Sequence, residues 1–404
     1  MSAQESAEAP LPISDHAIRA DIQGLRGVAV GLVLLFHAGI PGFSGGFVGV
    51  DIFFVLSGFL ITGNLIREIA AHGHIRFKEF YARRIRRLLP AAFLVLLATL
   101  IAAALWFPPL LMPGVALDIA SAGLYVSNLD FAIRATDYFA NSIIPSPVLH
   151  FWSLGVEEQF YLFWPLLLAL ATWRKRWLNA QVFAISLLVF IASFSFAHWL
   201  LPHNQPWAFF SLPTRAWELI LGAALAAALP LLVKSPQFVL TLCGIAGLTV
   251  VLESGLTQSN PLKFPSTPAL LPTIGAALVL VGGVRGVRGI ATRILQFKPL
   301  AYIGKISYSL YLWHWPVLVV PQVLTVSKLS LINRAGLALL SILLAAATER
   351  FVERPFRKGF VISTKPLRNI AIAGVLASLL AVTSFSVDYA ATGSLRNKKE
   401  TASA

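Results

Sequence analysis

Apolar runs of membrane length, separated by short polar segments, fill the chain from residue 24 to residue 387. In order they predict spans at 24–41, 46–66, 89–107, 151–172, 180–200, 214–232, 238–252, 268–284, 302–322, 332–349 and 369–387. Several fall short of the ~20 residues that a helix perpendicular to the bilayer needs. The pattern is that of an all-α polytopic integral membrane protein with about 10–11 transmembrane helices. Segment 108–150 interrupts it, because VALDIASAGLYVSNLDFAI is only moderately apolar and carries Asp118, Asn128 and Asp130. It reads as a packed or re-entrant element, since a span there would move the basic WRKRW stretch (173–177) to the outer side.

Composition agrees with the pattern. The 404 residues are 57% apolar and only 12% charged, outside the range of soluble domains. A net charge of +14 raises the question of nucleic acid. The cations instead cluster between apolar runs, as in cytoplasmic loops, and nucleic-acid binding falls away. With the N-terminus in the cytoplasm, 24 of the 32 Lys and Arg lie inside. Residues 1–18 are polar, carry no cleavable signal pattern and read as a disordered cytoplasmic lead. Residues 19–387 read as one membrane domain, and 388–404 as a disordered extracytoplasmic tail. Cys243, the single cysteine, leaves neither an intramolecular disulfide nor a cysteine-based metal site.

Ionisable groups inside such runs are costly and therefore functional candidates. In RGVAVGLVLLFHAGIPGFSGGFVGVDIFFVLSGFLIT (26–62) these are Arg26, His37 and Asp51. On a helix the step from Arg26 to His37 rises roughly 16 Å and closes within roughly 20° of three turns. Both then share one face; a snorkelling Arg and a hydrogen-bonded core His give the bland alternative. FYARRIRRLLP (80–90) sets Arg83, Arg86 and Arg87 on one helix face with Arg84 beside them. Guanidinium forks match phosphate oxygens, although juxtamembrane arginines also fix topology and bind anionic membrane lipid.

Further along, LHFWSLGVEEQFYLFWP (149–165) stacks His150, Ser153 and Glu157 at i, i+3 and i+7. GKISYSLYLWHWP (304–316) stacks Ser307, Tyr311 and His314 at i, i+4 and i+7 on one face. A polar helix start explains the first equally well, and a structural network between spans the second. In ERFVERPFRKG (349–359), Glu353 is a candidate partner for an Arg of the basic cluster. There is no Walker loop, dinucleotide fingerprint, HExxH or other metal spacing, and no GxSxG elbow. Ser57, in LSGFL, is the nearest thing to a nucleophile, and its small neighbours point to close helix packing instead.

Together these stretches resemble the acyltransferase family 3 membrane O-acyltransferases of bacteria. The resemblance covers nearly all of residues 19–387 and rests on six motifs in order: DIQGLRGVAV with His37 eleven residues after Arg26, GGFVGVDIFFVLSGFLIT, FYARRIRRLLP, HFWSLGVEEQFYLFWP, ISYSLYLWHWP and ERPFR. It implies a bacterial inner-membrane enzyme that carries an acyl group, commonly acetyl, from cytoplasmic acyl-CoA to a hydroxyl of an extracytoplasmic glycan. Arg26 and His37 match the family's essential Arg-x10-His pair, and Arg83, Arg84, Arg86 and Arg87 its coenzyme-holding basic motif. Larger members add a C-terminal SGNH hydrolase-like domain outside the membrane. This chain stops soon after its last apolar run, so a stand-alone form, a truncation and a separate SGNH-type partner all stay open.

The expected scheme has phosphates of acetyl-CoA on the arginines and the pantetheine arm along the Arg26–His37 face. His37 then acts as general base or acyl carrier. Asp51 is expected to orient His37. His150, Ser153, Glu157, Tyr311 and His314 are expected near the acceptor. The rival is a proton-coupled transporter or flippase of a lipid-linked saccharide, with His37 and Asp51 as proton relay; an inert scaffold that recruits a soluble transferase is a second.

Overall fold

The computed structural model describes residues 19–134, 145–172, 177–258, 263–286, 289–325 and 329–357, with scattered residues between 368 and 386. The expected N-terminal lead, most of the span at 369–387 and the tail after it lie outside the described residues. What is described is helical, without strands.

The helices α1 (Ala20–His37), α2 (Gly49–His72) and α3 (Phe77–Trp106) come first, followed by two short ones, α4 (Met112–Gly123) and α5 (Ser127–Ile133). Next are α6 (Phe151–Ala171), α7 (Leu178–Leu200), α8 (Gln205–Phe210), α9 (Leu212–Leu232) and α10 (Gln237–Thr257). The last group is α11 (Leu270–Gly282), α12 (Ile290–Leu295), α13 (Lys298–Lys305), α14 (Ser307–Leu324), α15 (Leu331–Thr348) and the short α16 (Arg354–Arg357). All ten spans expected before residue 350 fall on helices. Among the described residues seven helices are long and apolar enough to cross a membrane, based on α1, α2, α3, α7, α9, α10 and α15. Of the others, α11 has only 13 residues, while α6 and α14 carry the polar residues of the candidate site. The protein is thus a multi-pass membrane protein.

Segment 108–134 is not a span but a packed pair of short helices. Its charges answer one another: Arg134 pairs with both Asp118 and Asp130. Asn128 donates to the Phe210 carbonyl at 3.1 Å and accepts from Gln159 Nε2 at 2.8 Å. Satisfying these groups within protein is what lets a polar segment pack against apolar helices.

The helices approach closely where the sequence supplies glycine. A methyl group on Gly58 of α2 would lie 1.7 Å from the Leu219 carbonyl oxygen of α9, and one on Gly222 2.0 Å from that of Val55. Only hydrogen fits at either contact, as in small-residue helix crossings generally. α3 has 30 residues, roughly 45 Å of helix against a hydrocarbon core of ~30 Å. Its basic first turns can therefore stand beyond the apolar layer while its C-terminal two-thirds cross it.

Two local irregularities bear on the site. At the end of α15 the backbone widens into a π-turn, Glu349–Glu353, which buries both glutamates. Lys305 pairs with Glu349 at 3.1 Å, and Ser309 donates to Glu353. Between α4 and α5, Tyr125 adopts a left-handed φ of 56°, uncommon for a bulky residue. The Ala122 carbonyl accepts its N–H at 3.1 Å, and its own carbonyl accepts from Gln159 at 3.2 Å, so both neighbours hold the turn.

Candidate active site

Three histidines from distant parts of the sequence meet at one end of the site. His37 closes α1, His150 caps the start of α6, and His314 sits in the middle of α14. His37 Nδ1 lies 3.0 Å from His314 Nε2, the two ring planes 24° apart and their centroids 5.2 Å apart. His150 meets the His314 ring edge-on at 5.3 Å, and Trp315 lies 4.6 Å from the His37 ring. Proline explains how His150 is held. Pro316 has no N–H to bond the Leu312 carbonyl four residues earlier, and that carbonyl instead accepts from His150 Nε2 at 3.1 Å. Below the rings, the Tyr311 hydroxyl lies 2.6 Å from Ser153 Oγ and donates to the His150 carbonyl at 3.1 Å.

Tyr311 and Ser153 also form the inner wall of a partly open cavity bounded by α1, α2, α3, α6 and α14. At its other end stand Arg26, Arg84 and Arg87. Arg84 is already neutralised: it pairs with Glu158 at 3.2 Å and lies 3.2 Å over the Tyr161 ring. Glu157 accepts from the hydroxyls of Ser57 and Tyr161. Tyr308 donates to the Leu88 carbonyl at 2.9 Å and closes the wall beside Tyr125. Arg26 and Arg87 differ from Arg84. Among the described residues neither has a hydrogen-bond or ion-pair partner, yet both line the cavity. Two neighbouring guanidiniums with no carboxylate in contact make that end receptive to an anion.

The basic motif divides. Arg84 and Arg87, three residues apart, face the cavity; Arg86 is half-buried and does not line it. Arg83 is 49% exposed and committed to Glu68 of α2, 3.3 Å away, a carboxylate that also binds Arg76. The four-arginine expectation thus narrows to two at the cavity. Glu353, expected to pair with this cluster, takes its hydrogen bond from Ser309 and reaches Arg87 and Arg26 only through longer-range attraction.

Asp51 requires the larger correction. It lies buried on α2, 2.8 Å from Arg215 Nη2 of α9, with Glu218 3.3 Å from the same guanidinium. Phe54, Trp152 and Phe209 surround that guanidinium. Nδ1 of His37 meets His314. Asp51 is therefore placed in a separate intramembrane ion network, and the His37–Asp51 relay of the transporter reading loses its second member.

His37 does not line the cavity; the Tyr311–His314 layer lies between. Glu157, expected near the acceptor with His150, shares the cavity with the arginines instead. Ser57, Tyr125, Glu158, Tyr161 and Tyr308 were not singled out from sequence as site residues, although all line the cavity. For Glu158 and Tyr161 a signal existed: two adjacent glutamates in an apolar helix cannot both face lipid, and Tyr161 stands one turn from Glu157. Among the described residues no group of three or more His, Cys, Asp or Glu is placed to hold a metal ion.

Comparison with known proteins agrees with this architecture. No solved structure matches the chain. It is 30% identical over 387 residues to the peptidoglycan O-acetyltransferase OatA of Listeria monocytogenes, covering 89% of this chain and 61% of that protein. It is 31% identical to the putative peptidoglycan O-acetyltransferase YrhL of Bacillus subtilis, covering 85% of this chain and 56% of that one. The O-acetyltransferase OatA of Staphylococcus aureus is 33% identical over 346 residues, which cover 83% of this chain and 57% of OatA. The matches thus span about three-fifths of the relatives' length. The acyltransferase domain family matches residues 19–350, most of the chain, and the chain belongs to that acyltransferase family.

Proposed function

We propose that the protein is a membrane O-acyltransferase of the bacterial inner membrane. It takes an acyl group, acetyl in the first instance, from cytoplasmic acyl-CoA and gives it to a hydroxyl of an extracytoplasmic carbohydrate. The relatives' names favour a cell-wall glycan as acceptor; O-antigen, exopolysaccharide or another cell-surface glycan has the same hydroxyl chemistry. The observation that carries the reading is the cavity. It joins two unpartnered guanidiniums, Arg26 and Arg87, to the Tyr311–Ser153 wall beside three histidines.

In this reading Arg26 and Arg87 hold phosphate oxygens of the donor, and the pantetheine arm follows the cavity toward Ser153 and Tyr311. Delivery of the thioester to His37 requires the Tyr311 side chain to yield or the acyl group to pass beside it. His37 as base takes the proton of the acceptor hydroxyl. The oxygen bonds to the acyl carbon, the carbon–sulfur bond breaks, and the proton passes to the leaving thiolate, returning His37 neutral. With His37 as carrier, its ring nitrogen attacks the thioester, the carbon–sulfur bond breaks and the thiolate leaves. The hydroxyl oxygen then bonds to the acyl carbon, the carbon–nitrogen bond breaks, and the hydroxyl proton passes to the thiolate, returning His37 neutral. A separate SGNH-type protein, and membrane lipid around the helices, are the partners this scheme admits.

Calorimetric titration of acetyl-CoA into the protein in lipid nanodiscs tests the donor site. Arg26→Ala and Arg87→Ala are each expected to weaken binding by about tenfold or more, as loss of a hydrogen bond to a charged group does. Wild-type affinity in both folded variants rules the site out.

A further inference from the structure

We infer that His314 is a positioning residue that fixes the tautomer of His37. It is then not an acceptor-binding group. This inference rests on the reading that His37 is the group that meets the acyl donor.

Three groups stand in a chain: the Tyr311 carbonyl, His314 and His37. The Tyr311 carbonyl can only accept, and His314 Nδ1 lies 2.6 Å from it. His314 therefore carries its proton on Nδ1. A neutral imidazole protonated there holds its lone pair on Nε2, the atom 3.0 Å from His37 Nδ1. His37 must then donate through Nδ1, which leaves the lone pair of its neutral ring on Nε2. His314 itself is fully buried and cannot borrow a proton from bulk water. Its other neighbour, His150, is anchored through Nε2 to the Leu312 carbonyl. The two carbonyls that set both rings belong to adjacent residues of α14, so one turn of helix fixes the histidine layer.

The consequence is chemical. As base or as acyl carrier, His37 reacts through a lone pair, and a ring free to exchange tautomers presents the wrong nitrogen part of the time. When Nε2 gains a proton or an acyl group, the ring becomes positive, and His314 Nε2 is already placed to accept from the more acidic Nδ1–H. This is the part that a carboxylate plays toward histidine in hydrolytic triads, filled here by a second imidazole inside an apolar bundle, where a buried carboxylate is far more costly.

The test uses the full-length protein in lipid nanodiscs with ¹⁵N-histidine. The His37 resonances are assigned by difference from His37→Asn, and solid-state NMR reads which ring nitrogen is protonated. The inference expects the Nδ1–H form in the wild type; a wild-type His37 held as Nε2–H overturns it. Two variants of similar size add a kinetic arm. His314→Leu cannot accept the bond, whereas the amide oxygen of His314→Gln can. For acetyl transfer, His314→Leu is expected to lose about 100-fold in kcat with KM for acetyl-CoA unchanged, and His314→Gln to recover at least about tenfold of that. Equal kcat in the two folded variants overturns the inference. The wild-type spectrum decides even where neither variant folds. Absence of wild-type turnover with acetyl-CoA overturns the donor reading alone, because the tautomer is read without substrate.

Discussion

Asp51 and Arg215, 164 residues apart in sequence, meet 2.8 Å apart inside the helix bundle, both withdrawn from solvent. The pair joins α2 to α9, the same two helices that cross closely at Gly58 and Gly222. With Glu218 on the same guanidinium, the network carries one cation and two carboxyl groups. Removing the cation strands both carboxyl groups in a medium that cannot solvate them.

Arg215→Ala should therefore act on stability before catalysis. The expected cost is about 3–5 kcal/mol, the range for breaking a buried ion pair. It should appear as a lower unfolding temperature and poorer yield of monodisperse protein. A variant as stable as the wild type would show that the network does not bear on folding.

Gly58→Ala should also destabilise, for a steric reason. Its methyl has the Leu219 carbonyl 1.7 Å away, and backbone cannot move aside as a side chain can. Separating α2 from α9 should cost about 1–3 kcal/mol, as overpacking does. Thermal unfolding in detergent measures it, with Gly63→Ala as control, because nothing lies within 4 Å of the Cβ position there. Equal melting temperatures for the two variants contradict the close crossing.

The arginines give a contrast within one motif. Arg87→Ala should raise KM for acetyl-CoA about tenfold. Arg83→Ala, half exposed on Glu68, should leave KM within about twofold and cost no more than about 1 kcal/mol of stability. Steady-state kinetics of the two variants side by side decide. A larger KM effect at Arg83 would move the donor phosphates to the outer surface.

How much was legible beforehand depended on what each inference needed. Helix positions needed only apolar runs and Lys/Arg placement, and all ten expected spans in the described region fall on helices. Segment 108–134 was separable because Asp118, Asn128 and Asp130 interrupt its apolar pattern. Face-sharing within one helix was also readable: it placed Ser153 with Glu157 and Tyr311 with His314. Contacts between helices were not. Asp51 lies fourteen residues after His37 and looked like its partner. Arg215, on a distant helix, competes for it, and helical spacing carries no information about which helices become neighbours. The same limit hid the His37–His314 bond. It also made Arg83 look equivalent to Arg87, since only the position of Glu68 separates them. The small neighbours of Ser57 signal packing, and Gly58 does pack against α9, while Ser57, one position away, turns to Glu157.

The central claim is tested most directly in inside-out membrane vesicles given radiolabelled acetyl-CoA, with wild type beside His37→Ala. The account predicts label on lumenal glycan or retained by wild-type membranes, and its loss in a His37→Ala protein that still inserts and folds. Equal labelling by the two proteins would contradict it.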